Sequence, residues 1–202
     1  MPAKTWSSVR GRRARVTKVS ETGKPVASAC STVVTEGFIT VGYSPEIEEG
    51  DEIIVKSASG KLCVNDKSCD TLKRITVEAE FCNVNPEILT LMTGNPTVVD
   101  HAGNSVGNRI SENLNCDINF ALEVWSDVPG QTEADGTPQY GYFLTPNIDG
   151  GTIGEITVQN DAATFTVSST SKSAAGWGYG PYAVDPTAAA GVAGPLETPF
   201  IA

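Results

Sequence analysis

Strict alternation of apolar and polar residues dominates the chain from residue 72 onward. In LKRITVEAEF, Ile75, Val77, Ala79 and Phe81 interleave with Arg74, Thr76, Glu78 and Glu80, the period of a strand with one buried and one wet face. INFALEVW repeats the pattern with Ile118, Phe120, Leu122 and Val124, and ATFTVSS repeats it with Ala163, Phe165 and Val167 set against Thr164, Thr166 and Ser168. Shorter strands are predicted in GFITVGY (37–43), EIIVKS (52–57) and KLCVN (61–65), with the SASG stretch turning between the last two. EITVQ (155–159) and ATFTV (163–167) flank Asn160-Asp161-Ala162, which is hairpin chemistry. Proline, glycine and acidic content makes SPEIEEGD (44–51), DVPGQTEADGTPQ (127–139) and TAAAGVAGPLETP (187–199) loops or tail. The fold class these elements predict is mainly β, an antiparallel sandwich or barrel.

One stretch departs from that period. FCNVNPEILTLMTG (81–94) begins as a strand, then offers Asn85 as an N-cap, Pro86 at the first helical position and Gly94 as a left-handed release. A short α-helix over about 86–93 follows. Isolated helices of this length are marginal in water, so Ile88, Leu89 and Met92 are expected to bury a face against a sheet, as a plug over the open end of a sandwich.

Composition adjusts this picture in three ways. A chain of 202 residues with 20 glycines and 12 prolines suits one turn-rich domain that buries roughly 70% of its unfolded surface. The net charge is −10, but Lys4, Arg10, Arg12, Arg13, Arg15 and Lys18 precede the first acidic residue, Glu21. The chain therefore divides into a basic arm (1–18), an acidic domain (19–186) and a Pro/Ala/Gly-rich tail (187–202). Such an acidic body repels phosphate and argues against nucleic-acid affinity outside the arm. There is no run of 18 apolar residues and no apolar segment behind the basic start, so a cytoplasmic protein with no membrane partner is expected. Cys30, Cys63, Cys69, Cys82 and Cys116 are an odd number, and reduced thiols are the expectation.

Candidate chemistry is sparse. His101 is the single histidine, and Gly103-Asn104-Ser105-Val106-Gly107, although it spells G-x-S-x-G, lacks the strand-turn-helix elbow that would make Ser105 a hydrolase nucleophile. Cys63, Cys69 and Cys82 with His101 or Cys116 could surround zinc, but no C-x-x-C pair occurs, and buried thiols are the simpler reading. WGYGPY (177–182) lacks the lysine and helix of a phosphate loop, and the acidic run Glu46, Glu48, Glu49, Asp51, Glu52 lacks calcium-loop spacing. No enzyme, cofactor or metal is expected. What the residues indicate is a β domain with charged ends and long loops, a build suited to assembly.

The order of GFITVGYSPEIEEGDEI, GKLCVNDKSCDTLK, VEAEFCNVNPEILTLMTG, VVDHAGNSVG, ALEVWSDVPGQ, YGYFLTP, GGTIGEITVQNDAATFTV and WGYGPY, from about Arg12 to Asp185, resembles a family of major tail proteins from long-tailed phages of actinobacteria. That resemblance implies a β-sandwich of tail-tube type with one short helix, in hexameric rings stacked into a hollow virion tail tube. It also implies assembly in the host cytoplasm, a tape-measure protein in the lumen, tail-tip and tail-terminator partners, and double-stranded DNA in transit without specific binding. Within such a tube, Glu78 and Glu80, or the row Thr164, Thr166 and Ser168, are the lumen-facing candidates. Arg10, Arg12, Arg13 and Arg15 opposite Glu46, Glu48, Glu49 and Asp51 are the candidates for contacts between rings or subunits, because opposite charges within one repeating chain are self-complementary. A capsid decoration protein, a cell-surface sandwich and a zinc-stabilised binding module are the competing readings.

Overall fold

Alternation becomes architecture through two four-stranded sheets that press their apolar faces together. The computed structural model describes residues 7–28, 30–82, 85–110, 117–132, 136, 138–157 and 164–172. Along the chain these form β1 (Val9–Val19), β2 (Thr32–Thr35), β3 (Phe38–Glu48), β4 (Glu52–Lys56), β5 (Leu62–Lys67), β6 (Thr71–Phe81), α1 (Pro86–Thr93), β7 (Thr97–Val99), β8 (Ser105–Asn108), β9 (Asn119–Thr132), β10 (Pro138–Asp149), β11 (Thr152–Thr157) and β12 (Thr164–Thr170). The first sheet has the order β10-β9-β1-β2 and the second β11-β12-β6-β3; β4-β5 and β7-β8 are separate two-stranded ribbons. All pairings are antiparallel. The protein is mainly β with one α-helix among the described residues.

Between the sheets lies one core. Ala14 and Val16 of β1, Phe120, Leu122 and Val124 of β9, and Ile148 of β10 meet Ile75, Val77, Ala79 and Phe81 of β6 and Phe165 and Val167 of β12. Phe81 and Phe165 are directly opposite in register, and their rings stack at 5.2 Å between centroids, a cross-strand aromatic pair.

The helix closes this core much as its caps foretell. Asn85 accepts from the Glu87 N–H at 3.0 Å, and Gly94, at φ 71°, donates its own N–H to the Thr90 carbonyl. Ile88, Leu89, Leu91 and Met92 are all buried in the core; Leu91 is the addition to the expected set. Outside contacts hold the helix in place. The Met92 carbonyl accepts from the Gly151 N–H at 2.7 Å, and the Asn108 amide donates to the Pro86 carbonyl and the Thr90 hydroxyl.

Three segments differ from expectation. Much of the basic arm is instead β1, hydrogen-bonded between β9 and β2 inside the first sheet, because Ala14 and Val16 give its second half a buried face. The 44–51 loop is largely strand: β3 runs on to Glu48 opposite β6, and Pro45 is tolerated because β3 is an edge strand with one side free of ladder bonds. Likewise β9 extends to Thr132 and β10 begins at Pro138, so the 127–139 loop shrinks to a hairpin end. The turn 160–162, Ala163, Cys116, the WGYGPY stretch and the 187–199 tail lie outside the described residues.

Candidate functional surfaces

The second sheet turns a distinctive outer face away from the core. Register places Thr166 opposite Glu80, Ser168 opposite Glu78 and Thr170 opposite Thr76, while on the other flank of β6 Thr40, Gly42 and Ser44 face the same three residues. Directly opposed residues in an antiparallel pair share a face. The two alternative lumen sets, Glu78 with Glu80 and Thr164 with Thr166 and Ser168, are therefore one surface. Across β3, β6 and β12 that surface presents hydroxyls, a glycine and carboxylates from Thr76 to Glu80, with the apolar pair Ile47 and Leu72 beyond Arg74 at one end. Its basic residue, Arg74, is at the far end, where its Nε lies 2.8 Å from the Glu46 carboxylate.

The arginines of β1 do not form a shared patch. Two irregularities in the β1–β9 register fall between Val9 and Arg13, throwing Arg10 and Arg12 out of the ladder; Arg10 sits at φ 55°, an uncommon conformation for a residue with a Cβ. Arg12 reaches back to Asp127 at 2.7 Å, and that hydrogen bond and charge raise its pKa further. Arg13 pairs with Glu36 at 2.6 Å. Arg15 is wholly buried, at 0% exposure, as is Glu123 at 1%, and Glu123 accepts from both the Arg15 guanidinium and the Tyr142 hydroxyl. The Arg15 guanidinium also lies over the Trp125 ring, 5.3 Å from its centroid. Burial removes Arg15 from the candidate contact residues.

On the acidic side, Glu46 is likewise engaged within its own chain. Its carboxyl is held below its ordinary range by the Thr76 hydroxyl first and then by Arg74. Glu48, Glu49 and Asp51 stay exposed with no ion pair among the described residues. The proposed opposition of arm and loop thus reduces to Arg10 on one side and these three carboxylates on the other.

Sequence reasoning overlooked the β4–β5 ribbon as a surface. Every residue of both strands is exposed, although the ribbon carries Ile53, Ile54, Val55, Leu62 and Val64. Its base is anchored: Gly50 donates to Asp70 at 3.0 Å, Ser68 donates to the Asp51 carbonyl, and a Cβ at Gly50 would overlap the Ser68 carbonyl. The three consecutive apolar residues of EIIVK carried no sign that both faces would remain uncovered.

The residues considered for chemistry are dispersed. Cys30, Cys63, Cys69 and Cys82 are exposed free thiols, against the expectation of burial. Among the described residues no group of three or more His, Cys, Asp or Glu side chains is placed to hold a metal. His101 is exposed at the tip of the β7–β8 ribbon, where Asp100 caps the turn through Asn104 and Ala102; the Asn104 side chain leads in lowering the Asp100 pKa. No described helix is long and apolar enough to cross a membrane. Comparison with protein-family models and with curated proteins finds no match for this chain.

Proposed function

We propose that the protein is a structural virion subunit whose hexameric rings stack into a hollow phage tail tube, with the outer face of the second sheet turned to the lumen. The observation that carries this reading is the composition of that face. Thr40, Ser44, Thr76, Glu78, Glu80, Thr166, Ser168 and Thr170 line three adjacent strands, and over this stretch a wall of hydroxyls and carboxylates offers a passing polyanion no cationic partner, Arg74 at its end being paired with Glu46. Phosphates bound to such a wall release few counterions, so DNA slides without being held.

Two further features support the reading. The second sheet ends in β3 on one side and β11 on the other, edges that neighbouring subunits would pair when sheets join around a lumen. The chain also carries exposed apolar ribbons, which suit burial in an assembly. Tape-measure, tail-tip and tail-terminator proteins are the partners this role requires, and the resemblance in motif order points the same way.

Sizing the purified chain over a range of concentrations, followed by negative-stain imaging, tests the proposal. Concentration-dependent polymers with sixfold end views are expected. A particle that stays small at every concentration and instead coats preformed shells would favour a decoration protein.

A further inference from the structure

Beyond the end of β12 the two sheets are joined by an amine, a carboxamide and a carboxylate. Asn119 opens β9 and stands directly opposite Asp149, the last residue of β10. Although β12 belongs to the other sheet, Ser171 bridges to Ile148, and the Lys172 N–H donates to the Asn147 carbonyl at 2.9 Å. Ser171 also donates its N–H to the Ile75 carbonyl and accepts from the Ile75 N–H through Oγ. The backbone beneath Lys172 is therefore held from both sheets. From that base the side chain reaches across: Nζ lies 2.7 Å from Asp149 Oδ1 and donates to Asn119 Oδ1 at 3.3 Å. Asn119 is only 4% exposed, whereas the Lys172 and Asp149 side chains are 41% and 32% exposed.

We infer that Lys172 and Asn119 join in an intramolecular isopeptide bond, with Asp149 carrying the protons. The three groups have complementary roles: a nucleophile, a carbonyl to receive it and a base in contact with the nucleophile. Nζ already touches the oxygen of the carboxamide, so the carbon it must reach is one bond further on, and a pinned backbone holds that approach. Burial of Asn119 keeps water from competing at its carbonyl. In the step, Asp149 takes a proton from the Lys172 ammonium, and the freed lone pair forms the Nζ–Cγ bond to Asn119. Asp149 then returns the proton to Nδ2, and the Cγ–Nδ2 bond breaks with its electron pair on the departing ammonia. The second surplus Nζ proton leaves with it as ammonium, and the carboxylate is regenerated. The bond ties β9 to the end of β12 across 53 positions, and so one sheet to the other. Such a cross-link limits the freedom of the unfolded chain, as a disulfide over the same span would, whereas an exposed ion pair contributes little. It lies within one chain and does not rest on the tube reading.

Intact-mass spectrometry of the purified full chain tests the bond. The folded protein is expected to weigh less than its sequence by one ammonia, about 17 Da, the group that an amine displaces from a carboxamide. A protease digest should then yield one branched peptide containing both Asn119 and Lys172. Lys172→Arg keeps a cation beside Asp149 but offers no nucleophilic amine, and it should restore the full mass. Asp149→Ala leaves both reacting groups in place and should slow the mass loss, followed in time after synthesis, by about 100-fold or more. Circular dichroism verifies that each variant folds. A wild-type chain that keeps its full sequence mass on prolonged incubation overturns the inference. So does a mass loss that persists in Lys172→Arg, which would come from an asparagine closing on its own backbone.

Discussion

The two sheets share one core but expose opposite principles on their outer faces. On the first sheet, Arg15 and Glu123 alternate with core residues as wet positions should, yet both are buried and bonded to each other, with Tyr142 and Trp125 completing the cluster. On the second sheet, Glu78 and Glu80 occupy equivalent alternating positions and remain outside, Glu78 exposed and Glu80 partly so. The same residue type at the same strand period therefore does two different jobs. Charge on the first sheet ties β1 to β9, whereas charge on the second is left on the surface.

That contrast can be broken at its strongest point by removing the buried carboxylate. Glu123→Ala leaves the Arg15 cation buried without its partner, and a loss of about 3–5 kcal/mol in unfolding free energy is expected by chemical denaturation. A cost near that of a surface change would mean the face is effectively solvated. The corresponding lesion on the second sheet, Glu78→Lys with Glu80→Lys, should move stability by only about 0.5 kcal/mol. Its effect should appear elsewhere: the variant gains salt-sensitive affinity for double-stranded DNA, read by retention on a DNA column as ionic strength is raised.

The smallest effect concerns the one ion pair at the end of the second face. The folded state lowers the Glu46 pKa from its ordinary 4.5, so the pair favours the fold above that value and the contribution fades as pH falls through the lowered one. Carboxyl NMR titration should place Glu46 below its ordinary 4.5. Thr76→Val and Arg74→Ala should each return Glu46 toward the ordinary value, because the Thr76 hydroxyl and the Arg74 guanidinium both lower it.

Much of the fold was legible because its signals are local. The strand period marked β6, β9 and β12, and Asn85, Pro86 and Gly94 marked both ends of α1 before any packing was known. Pairing was not legible, because register depends on residues distant in the chain. Nothing near Glu78 in sequence says that Ser168 lies opposite it, so two rival lumen sets turned out to be one face. Arg15 failed for a related reason: its partner Glu123 is 108 positions away. Trp125, placed by alternation on the same side as Glu123, was the available clue that this side is not open to water. The arm and the 44–51 loop misled because charge and proline were weighed above pairing, and strands that carry either are tolerated when a partner strand neutralises the charge or when an edge accommodates the proline.

The central claim is that the Glu78 face lines an enclosed channel. Its most direct test replaces Glu78 with cysteine in a background with all five native cysteines changed to serine, and compares a small maleimide with one coupled to a protein-sized carrier, before and after assembly. The account predicts that both reagents label the unassembled chain, and that in assembled particles the small reagent still reacts while the large one reaches only the end rings. Full labelling of assembled particles by the large reagent would place that face on the outside and contradict the account.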